Sequence, residues 1–413
     1  MGEKMHLSTL SQILEIDNFK VQNILYNTDN ILKLYIVQET FKWPICHKCG
    51  KAHNNIHDSY TVQAEDLSIS GKRVFLIFKK RNTLCPVDGS VRIETFDWLK
   101  GNVTKRFAEN VYKLTSITTN TEAGWYLGVD DEKVYRIDKK ILEEKAEEKL
   151  NPIPGAANIS VDEVAWQKWY KYITNIIDID EKLVIWNHKG RGKETMLKFY
   201  DNFGDEKSKS LLSVALDGAS GYINATREKA PQALLVYDRF HINQKLNNAI
   251  DQVRRDELRA ARKNENKDLV ERLYCGERWI LLKNKELTEY QQKRLDELVK
   301  LNENIAKAKL LKDDFLLIYK EKTPEKAESK LIYWLNEAET SGLIPFKELS
   351  ESFSNKFQLI INYFKRKISS AISEGFNNKI KRLKRMAYGY RDPNYFLLKI
   401  HQHCGLLNPR YSN

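Results

Sequence analysis

Residues 158–166, NISVDEVAW, open the stretch of sequence that decides the fold. Their β-branched and aromatic side chains favour a strand, and two similar runs follow at once, YKYITNIIDID at 170–180 and KLVIWNHKG at 182–190. Only short polar joints separate the three runs. Because consecutive strands with short joints pair as antiparallel neighbours, this stretch predicts a three-stranded meander.

Two strands of another kind follow the meander. SLLSVALDG at 210–218 and ALLVYDRF at 233–240 are continuous apolar runs, which are typical of buried parallel strands. Residues 193–204 end on a glycine and residues 220–231 end on a proline, and each segment is predicted to be the helix before one of these strands. The order β-β-β-α-β-α-β is that of a ribonuclease-H-like mixed sheet. We therefore predict an α/β multidomain protein built on that core.

The composition of the chain suggests how the rest is organised. A Pro/Gly/Asn break, NPIPGAAN, begins at Asn151, so we place the first part of the core at 151–244. Residues 245–367 are charged, have helical periodicity and are too long for a loop, which predicts an inserted all-helical domain. Residues 368–413 return to the core with a final helix and a tail. Four residues are expected in hydrophobic cores: Trp279, Trp334, Cys275 and Cys404.

Residues 1–100 predict an N-terminal zinc-finger-like module of short strands around a cysteine cluster. Cys46 and Cys49, two residues apart, form half of a tetrahedral Zn²⁺ site. Cys85 supplies a third thiolate, and Asp88 occupies the position of the missing fourth cysteine, so we predict these four residues as ligands of a structural zinc ion. A site that has lost its metal is the alternative. Other candidate ligands are His47, His53 and His57.

Residues 101–150 predict a helix-turn-helix. Thr121 is expected to cap the first helix, Gly128 to supply the turn, and the second helix to begin near Asp131. The second helix would enter the major groove of DNA. A purely structural helical hairpin has the same pattern, so both interpretations stay open. The expected DNA-contacting side chains are Lys133 and Arg136.

Three carboxylates lie at positions that a ribonuclease-H-like fold would bring together at one end of its sheet. Asp162 lies within the first strand, Asp217 ends the fourth, and Glu374 lies on the last helix. An acid inside an apolar strand is costly unless it is paired or bound to metal, and two-metal phosphoryl transfer requires hard oxygen ligands. Spacing alone does not single out this trio. Other acids that could be grouped as easily are Glu163, Asp178 and Asp180.

A short element, DRFH, follows the last strand of the core. Its Asp238 and His241 could lie together at the strand exit and support a metal site, or they could cap the next helix as a structural pair. The residues alone favour the structural interpretation.

The charge balance favours a polyanionic partner. Lys and Arg number 68 against 56 Asp and Glu, a formal net charge of +12. The helix after Glu374 is strongly basic, and DNA phosphates would lie against it. Aromatic residues in AYGYR at 387–391 could stack on an unpaired base. The cations of the helix are Lys379, Lys381, Arg382, Lys384 and Arg385.

Four segments together resemble the ISL-three family of bacterial insertion-sequence transposases: SVDEVAW, VALDGASGYINA, VYDRFHINQKLNNAIDQVRR and EGFNNKIKRLKRMAYGYRD. The resemblance implies a DDE-class enzyme whose catalytic acids, holding two Mg²⁺ or Mn²⁺ ions, are Asp162, Asp217 and Glu374. It implies that Asp238 and His241 support the site, although Asp238 could instead replace Asp217 as a metal ligand. It also implies binding to double-stranded DNA, at the element ends and the target, by a homodimer.

Two other functions remain open at this point. One is a domesticated, catalytically inactive DNA-binding protein, and the other is a non-specific ribonuclease-H-type nuclease. No apolar run has the length of a membrane span, and the N-terminus lacks the pattern of a signal peptide. We therefore expect no membrane partner and a cytoplasmic, nucleoid-associated location in a bacterium.

Overall fold

The computed structural model describes residues 7–28, 30–167, 171–276, 278–283, 287–368 and 371–411. Contacts divide the chain into two units, one of residues 1–148 with 407–413 and one of residues 149–406. In the described part of the chain, no helix is both long enough and apolar enough to cross a lipid bilayer.

The first unit is built on a seven-stranded mixed sheet. After helix α1 (Leu7–Leu14), its strands are β1 (Phe19–Asn27), β2 (Ile31–Gln38), β3 (Ile56–Ile69), β4 (Lys72–Leu84), β5 (Val91–Ile93), β6 (Leu99–Lys100) and β7 (Val103–Thr104). The strand order is β1-β2-β4-β3-β7-β6, and β5 pairs with β4.

The long hairpin of β3 and β4 is the centre of this sheet. The strands have 14 and 13 residues, whereas the sequence predicted only short strands here. Alternate residues of β4, Val74, Leu76 and Phe78, are fully buried in the core of the unit. The first half of β3 is polar and exposed, and therefore carries no apolar alternation that would indicate a strand.

Three helices follow the sheet: α2 (Lys105–Thr115), α3 (Asn120–Leu127) and α4 (Asp131–Leu150). The N-cap of α3 is Thr119, not Thr121 as expected, because Thr119 and Glu122 form a reciprocal capping box. Gly128 ends α3 in the left-handed conformation, with φ 69°, and α4 begins at Asp131. The turn and the start of the second helix are therefore as predicted.

The end of the chain returns to the first unit. Leu407 is fully buried, and its carbonyl accepts a hydrogen bond from the Tyr112 hydroxyl on α2. A single 3₁₀ turn, Pro409–Tyr411, follows. The second unit is thus inserted in the chain between two parts of the first.

The second unit contains a five-stranded sheet. Its strands are β8 (Asn158–Gln167), β9 (Lys171–Asp178), β10 (Leu183–Lys189), β11 (Ser213–Leu216) and β12 (Leu234–Tyr237). The order is β10-β9-β8-β11-β12; the first three strands are antiparallel, and β8, β11 and β12 are parallel. The meander and the two later parallel strands agree with the sequence prediction. The helices that join them are α5 (Lys193–Phe203), α6 (Asp205–Ser210) and α7 (Ser220–Lys229).

A long helical segment follows β12. Its elements are α8 (Arg239–Lys263), α9 (Lys267–Glu271), a π-helical turn (Arg272–Gly276), α10 (Arg278–Leu282), α11 (Glu289–Leu301), α12 (Glu303–Ile318), α13 (Pro324–Thr340), α14 (Ile344–Ser354), α15 (Phe357–Lys365), α16 (Ala371–Met386) and α17 (Pro393–Cys404). The sequence predicted α16 as the last helix, but α17 follows it and packs on β10.

Two of the four residues predicted to lie in hydrophobic cores are buried, and one is not. Trp334 is buried and its indole N–H donates to the Leu311 carbonyl at 2.6 Å, and Cys404 is buried among apolar residues, as predicted. Trp279 is 47% exposed, so its assignment to the core is wrong. It lies on the short helix α10, where Ile280 and Leu281 are the buried residues instead. The side chain of Cys275 lies outside the described residues.

Candidate functional site

Two similar turns present three cysteines in the first unit. The Cys46 carbonyl accepts from the Gly50 amide at 2.9 Å, and the Cys85 carbonyl accepts from the Gly89 amide at 2.8 Å. Each turn therefore folds back after its leading cysteine and directs the thiol inward; Cys46 and Cys85 are fully buried. Burial alone would raise the pKa of the Cys46 thiol, but hydrogen bonds from the amides of Cys49 and Lys48 outweigh it and lower that pKa.

The fourth side chain of this cluster is His53. The ligand atoms of Cys46, Cys49, His53 and Cys85 all lie within 4.8 Å of one another. The Cys49 and Cys85 sulfurs are 3.8 Å apart, and His53 Nε2 is 3.0 Å from the Cys49 sulfur. Two Zn–S bonds of about 2.3 Å at a tetrahedral angle place their sulfurs about 3.8 Å apart. The donor set and its spacing therefore fit a structural zinc ion.

Asp88 does not belong to this cluster, which corrects the predicted ligand set. Its carboxylate accepts from the Arg92 guanidinium at 3.1 Å and from the Ser90 amide at 3.1 Å. The hydrogen bond from Arg92 is the main reason that the pKa of Asp88 is lowered. The acid thus caps its own turn, and His53, one of the alternative candidates, takes the fourth position.

A second polar centre surrounds Asp162 in the other unit. Asp162 is half-buried in β8, and its two carboxylate oxygens accept from the Glu163 amide at 2.7 Å and from the Asn377 side-chain amide at 2.6 Å. The pKa of Asp162 is raised to about 6, chiefly by burial; the nearby His241 and the hydrogen bond from the Glu163 amide lower it, and the negative charges of Asp238 and Asp217 raise it. These four side chains therefore lie close enough to act on one another.

Asp217 and Asp238 reach this centre from the ends of adjacent parallel strands. Asp217 follows β11 and accepts from the Ala219 amide at 2.9 Å, which shapes the turn at Gly218. Asp238 follows β12 and caps α8 by accepting from the Phe240 amide at 2.7 Å. His241 Nε2 lies 3.6 Å from Asp238 Oδ2. The pair thus has the structural capping role that the sequence favoured and also lies beside Asp162.

Glu374 occupies the first turn of α16 and is exposed. Asn377, one turn later, is the residue of α16 that contacts Asp162. Among the residues that the structure describes, the cysteine–histidine cluster is the only set of three or more potential metal ligands within 4.8 Å. The structure thus places Asp162, Asp217, Asp238 and His241 near one another and α16 beside Asp162, whereas the Glu374 carboxylate has no hydrogen bond or ion pair with any of the described residues.

Asn175 of β9 was not among the site residues predicted from the sequence. It pairs directly with Asp162 in the antiparallel ladder, so both side chains lie on the same face of the sheet. Asn175 is fully buried, and neither polar atom of its side chain has a partner among the described residues; the same holds for Oδ1 of Asn377. The one sequence signal was an asparagine within the apolar run YITNII. Buried, unpaired polar atoms are costly, and these two residues flank Asp162.

The predicted DNA-contacting residues fall into two groups. On α4, Lys133 forms an ion pair with the buried Glu65 of β3 and lies over the Phe107 ring, whereas Arg136 is exposed. Lys133 therefore has a structural partner within its own unit. On α16, Lys379 donates to the His403 carbonyl and Lys384 to the Ala165 carbonyl. The remaining predicted cations on α16 are exposed: Lys381, Arg382 and Arg385.

The two tyrosines of AYGYR have different surroundings. Tyr388 is fully exposed, whereas the Tyr390 ring stacks on Phe396 with centroids 4.6 Å apart. Only Tyr388 of this pair is free to stack on a base.

The chain is similar to known transposases. A family model described as "Transposase" matches residues 159–400, and one described as "zinc-finger of transposase IS204/IS1001/IS1096/IS1165" matches residues 43–88. The transposase for insertion sequence element IS1001 of Bordetella parapertussis is 30% identical over 382 residues, 89% of this chain and 90% of that protein. The transposase for insertion sequence element IS1557 of Mycobacterium tuberculosis is 25% identical over 371 residues, 84% of this chain and 83% of that protein.

Proposed function

Because the chain belongs to the ISL-three (ISL3) family of transposases, we propose that it is a DNA transposase of the DDE class with a ribonuclease-H-like core. It binds the terminal inverted repeats of an insertion sequence, cuts the DNA there and joins the freed ends to target DNA. The observation that carries this proposal is that Asp162 on β8, Asp217 after β11 and Asp238 after β12 lie near one another, on three strands that are consecutive in the sheet.

In this proposal Asp162, Asp217 and Glu374 hold two Mg²⁺ ions, for which Mn²⁺ can substitute. The donor chemistry supports it, because carboxylate oxygens are the ligands that Mg²⁺ prefers. Asp162 is half-buried and lies close to two other acids. The side-chain amide of Asn377 donates to Asp162, and the oxygen of the same amide has no partner among the described residues. Bound magnesium supplies charge stabilisation for the attacking and leaving oxygens of phosphoryl transfer.

The protein's own residues have positioning roles in the two steps. Asp238 fixes the first turn of α8 and keeps His241 beside Asp162. In the first step a water oxygen bonds to phosphorus and gives up a proton to solvent, and the P–O3′ bond breaks as the 3′ oxygen takes up a proton from solvent to become a 3′-OH. In the second step that 3′-OH attacks a target phosphodiester and displaces its 3′ oxygen. Each step exchanges one P–O bond for another, so neither needs a covalent protein intermediate.

The other parts of the chain hold the DNA. We propose that the zinc module with its Cys₃His site is structural, that α3 and α4 act as a helix-turn-helix with Arg136 facing the duplex, and that α16 lies along phosphates. Two element ends must be held together for joining, so the active form is a homodimer. It acts on chromosomal DNA in the bacterial cytoplasm, associated with the nucleoid.

Purified protein incubated with Mg²⁺ and a duplex that carries the terminal inverted repeat tests this function. We expect cutting at the repeat boundary and joining to a second duplex. Asp162→Asn should retain repeat binding but lose about 4 kcal/mol of transition-state stabilisation, roughly a thousandfold in rate. Glu348→Gln, at an exposed acid on α14, is the matched control and should cut like the parent.

The outcomes separate the other two functions. Equal cutting of duplexes with and without the repeat would indicate a non-specific nuclease. Binding to the repeat with no cutting by the parent would indicate a DNA-binding protein without catalysis. An Asp162→Asn variant that cuts as fast as the parent would refute the assignment of that residue.

A further inference from the structure

Two lysines of the helical segment lie beside the turn that follows Asp217. Lys245 is on α8, and Lys356 is at the junction of α14 and α15, immediately before α15. The Lys245 ammonium lies 3.4 Å from the Ser352 hydroxyl. The Lys356 ammonium lies 5.6 Å from the centroid of the Tyr237 ring at the end of β12. Helices that are distant in sequence thus carry two positive charges to the acidic end of the sheet.

The turn at Gly218 brings Lys356 into close contact with the backbone that holds Asp217. Gly218 has φ +80°, and a Cβ at this position would meet Lys356 Cδ and a Tyr237 ring carbon, both at 3.0 Å. Only glycine lets the lysine stem pack so closely on the turn. The position of the ammonium is therefore fixed by the aliphatic stem, the Gly218 backbone and the Tyr237 ring.

Neither lysine has a carboxylate partner within ion-pair distance among the described residues. Both are half-buried. Burial lowers the pKa of Lys245, the positive charge of Lys356 lowers it further, and Asp217 opposes both effects. Two neighbouring, partly desolvated ammonium groups repel each other, and a bound anion would relieve that cost.

The buried hydroxyl of Tyr237 belongs to the ring that the Lys356 ammonium contacts. Tyr237 is fully buried, and its hydroxyl has no hydrogen-bond partner among the described residues. Burial raises the pKa of this phenol, and the charges of Asp217 and Asp238 raise it further, so the ring is close to both acids. The surroundings thus combine two unpaired cations with an unused hydrogen-bond donor.

We propose that Lys245 and Lys356 form a phosphate-binding subsite for the DNA strand that is cut, supplied by the inserted helical segment to the Asp217 turn. A phosphodiester that approaches three aspartates is repelled, and the two ammonium groups offset that repulsion and hold a phosphate next to the reacting one. Lys245 and Lys356 are positioning residues here. This inference rests on the proposed function, because it assigns a subsite to the DNA of that reaction.

Salt-dependent binding of the full-length chain to the repeat-bearing duplex tests the subsite. Each lost phosphate contact should reduce the slope of log Kobs against log salt by about 0.9 in magnitude. The double variant Lys245→Gln/Lys356→Gln should therefore lose about 1.8, and Lys245→Arg/Lys356→Arg should restore the parent slope. Lys347→Gln, at an exposed lysine on α14, is the matched control and should leave the slope unchanged.

Lysine acetylation of the parent protein gives a readout that needs no variant. Both lysines should be acetylated more slowly when the duplex is bound, and Lys347 should react at the same rate. A parent that cuts the repeat while the double variant keeps its slope and both lysines stay unprotected would overturn the subsite and leave the proposed function intact. A parent that neither binds nor cuts the repeat would overturn both.

Discussion

Replacing His53 with alanine removes one of four ligands from the Cys₃His cluster of the first unit. Its Nε2 atom lies 3.0 Å from the Cys49 sulfur and belongs to the four ligand atoms that lie within 4.8 Å of one another. Changing a residue that only orients a zinc ligand costs about 10–100-fold in affinity. Removing a ligand should cost at least the upper end of that range, about 100-fold or about 2.7 kcal/mol of zinc-binding free energy. At a fixed zinc concentration above saturation, the stability of the module should fall by a similar amount.

Competition with a chromophoric zinc chelator measures this change directly. The parent should bind one zinc ion per chain, and His53→Ala should release it at about 100-fold lower chelator concentration. Asp88→Asn is the matched control: its carboxylate bonds to Arg92 and Ser90 and contacts no ligand atom, so zinc affinity should stay within about twofold. A zinc affinity that drops in Asp88→Asn and is unchanged in His53→Ala would refute this ligand set.

Two buried side chains, His401 and Glu65, and the glycine turn at position 218 provide further tests. Burial lowers the pKa of His401 to about 4, so the contribution of the neutral imidazole to folding stability should be fully present above the ordinary pKa of 6.5. It should fall by about 2–3 kcal/mol as the pH drops from about 7.5 to 4.5, because the unfolded chain takes up a proton first. Urea unfolding of His401→Gln should lack this component, and an identical pH dependence would contradict the reasoning. Glu65→Gln removes the buried carboxylate that pairs with both Lys133 and Arg73 and should cost about 3 kcal/mol. The loss in the double variant Glu65→Gln/Lys133→Met should be less than the sum of the two single losses, and additive losses would argue against the pairing of Glu65 with Lys133. Gly218→Ala should destabilise the second unit by about 1–3 kcal/mol because alanine is strained at this positive φ and its Cβ would meet close neighbours. Gly155→Ala, where a Cβ meets nothing within 4 Å, should not; equal effects on the urea midpoint would refute the requirement for glycine at position 218.

Local patterns in the sequence were sufficient to predict the strands of the five-stranded sheet. The runs at 210–218 and 233–240 are mostly apolar because residues on both faces of β11 and β12 are buried, so these strands could be recognised without knowledge of their neighbours. Gly128 was recognisable as a turn for a similar reason, since a left-handed residue at the end of a helix is usually glycine.

Features that depend on distant partners could not be predicted in this way. Lys133 has the spacing of a groove-facing cation, but its ammonium is bound by Glu65, 68 residues earlier in the chain. Asn175 is a neighbour of Asp162 because of the register between β8 and β9, which the sequence alone does not give. The spacing of Cys85 and Asp88 suggested a second pair of ligands, but the turn itself satisfies the Asp88 carboxylate and leaves the fourth position to His53.

The return of Leu407 to the first unit has a consequence for synthesis on the ribosome. The Tyr112 hydroxyl emerges early, but the carbonyl that it bonds is translated only after all of residues 149–406. The first unit therefore cannot bury Leu407 until every residue of the second unit has been made. A truncated product that stops just before Leu407 would contain every residue of the second unit, but its first unit would lack a fully buried side chain and the hydrogen bond of Tyr112.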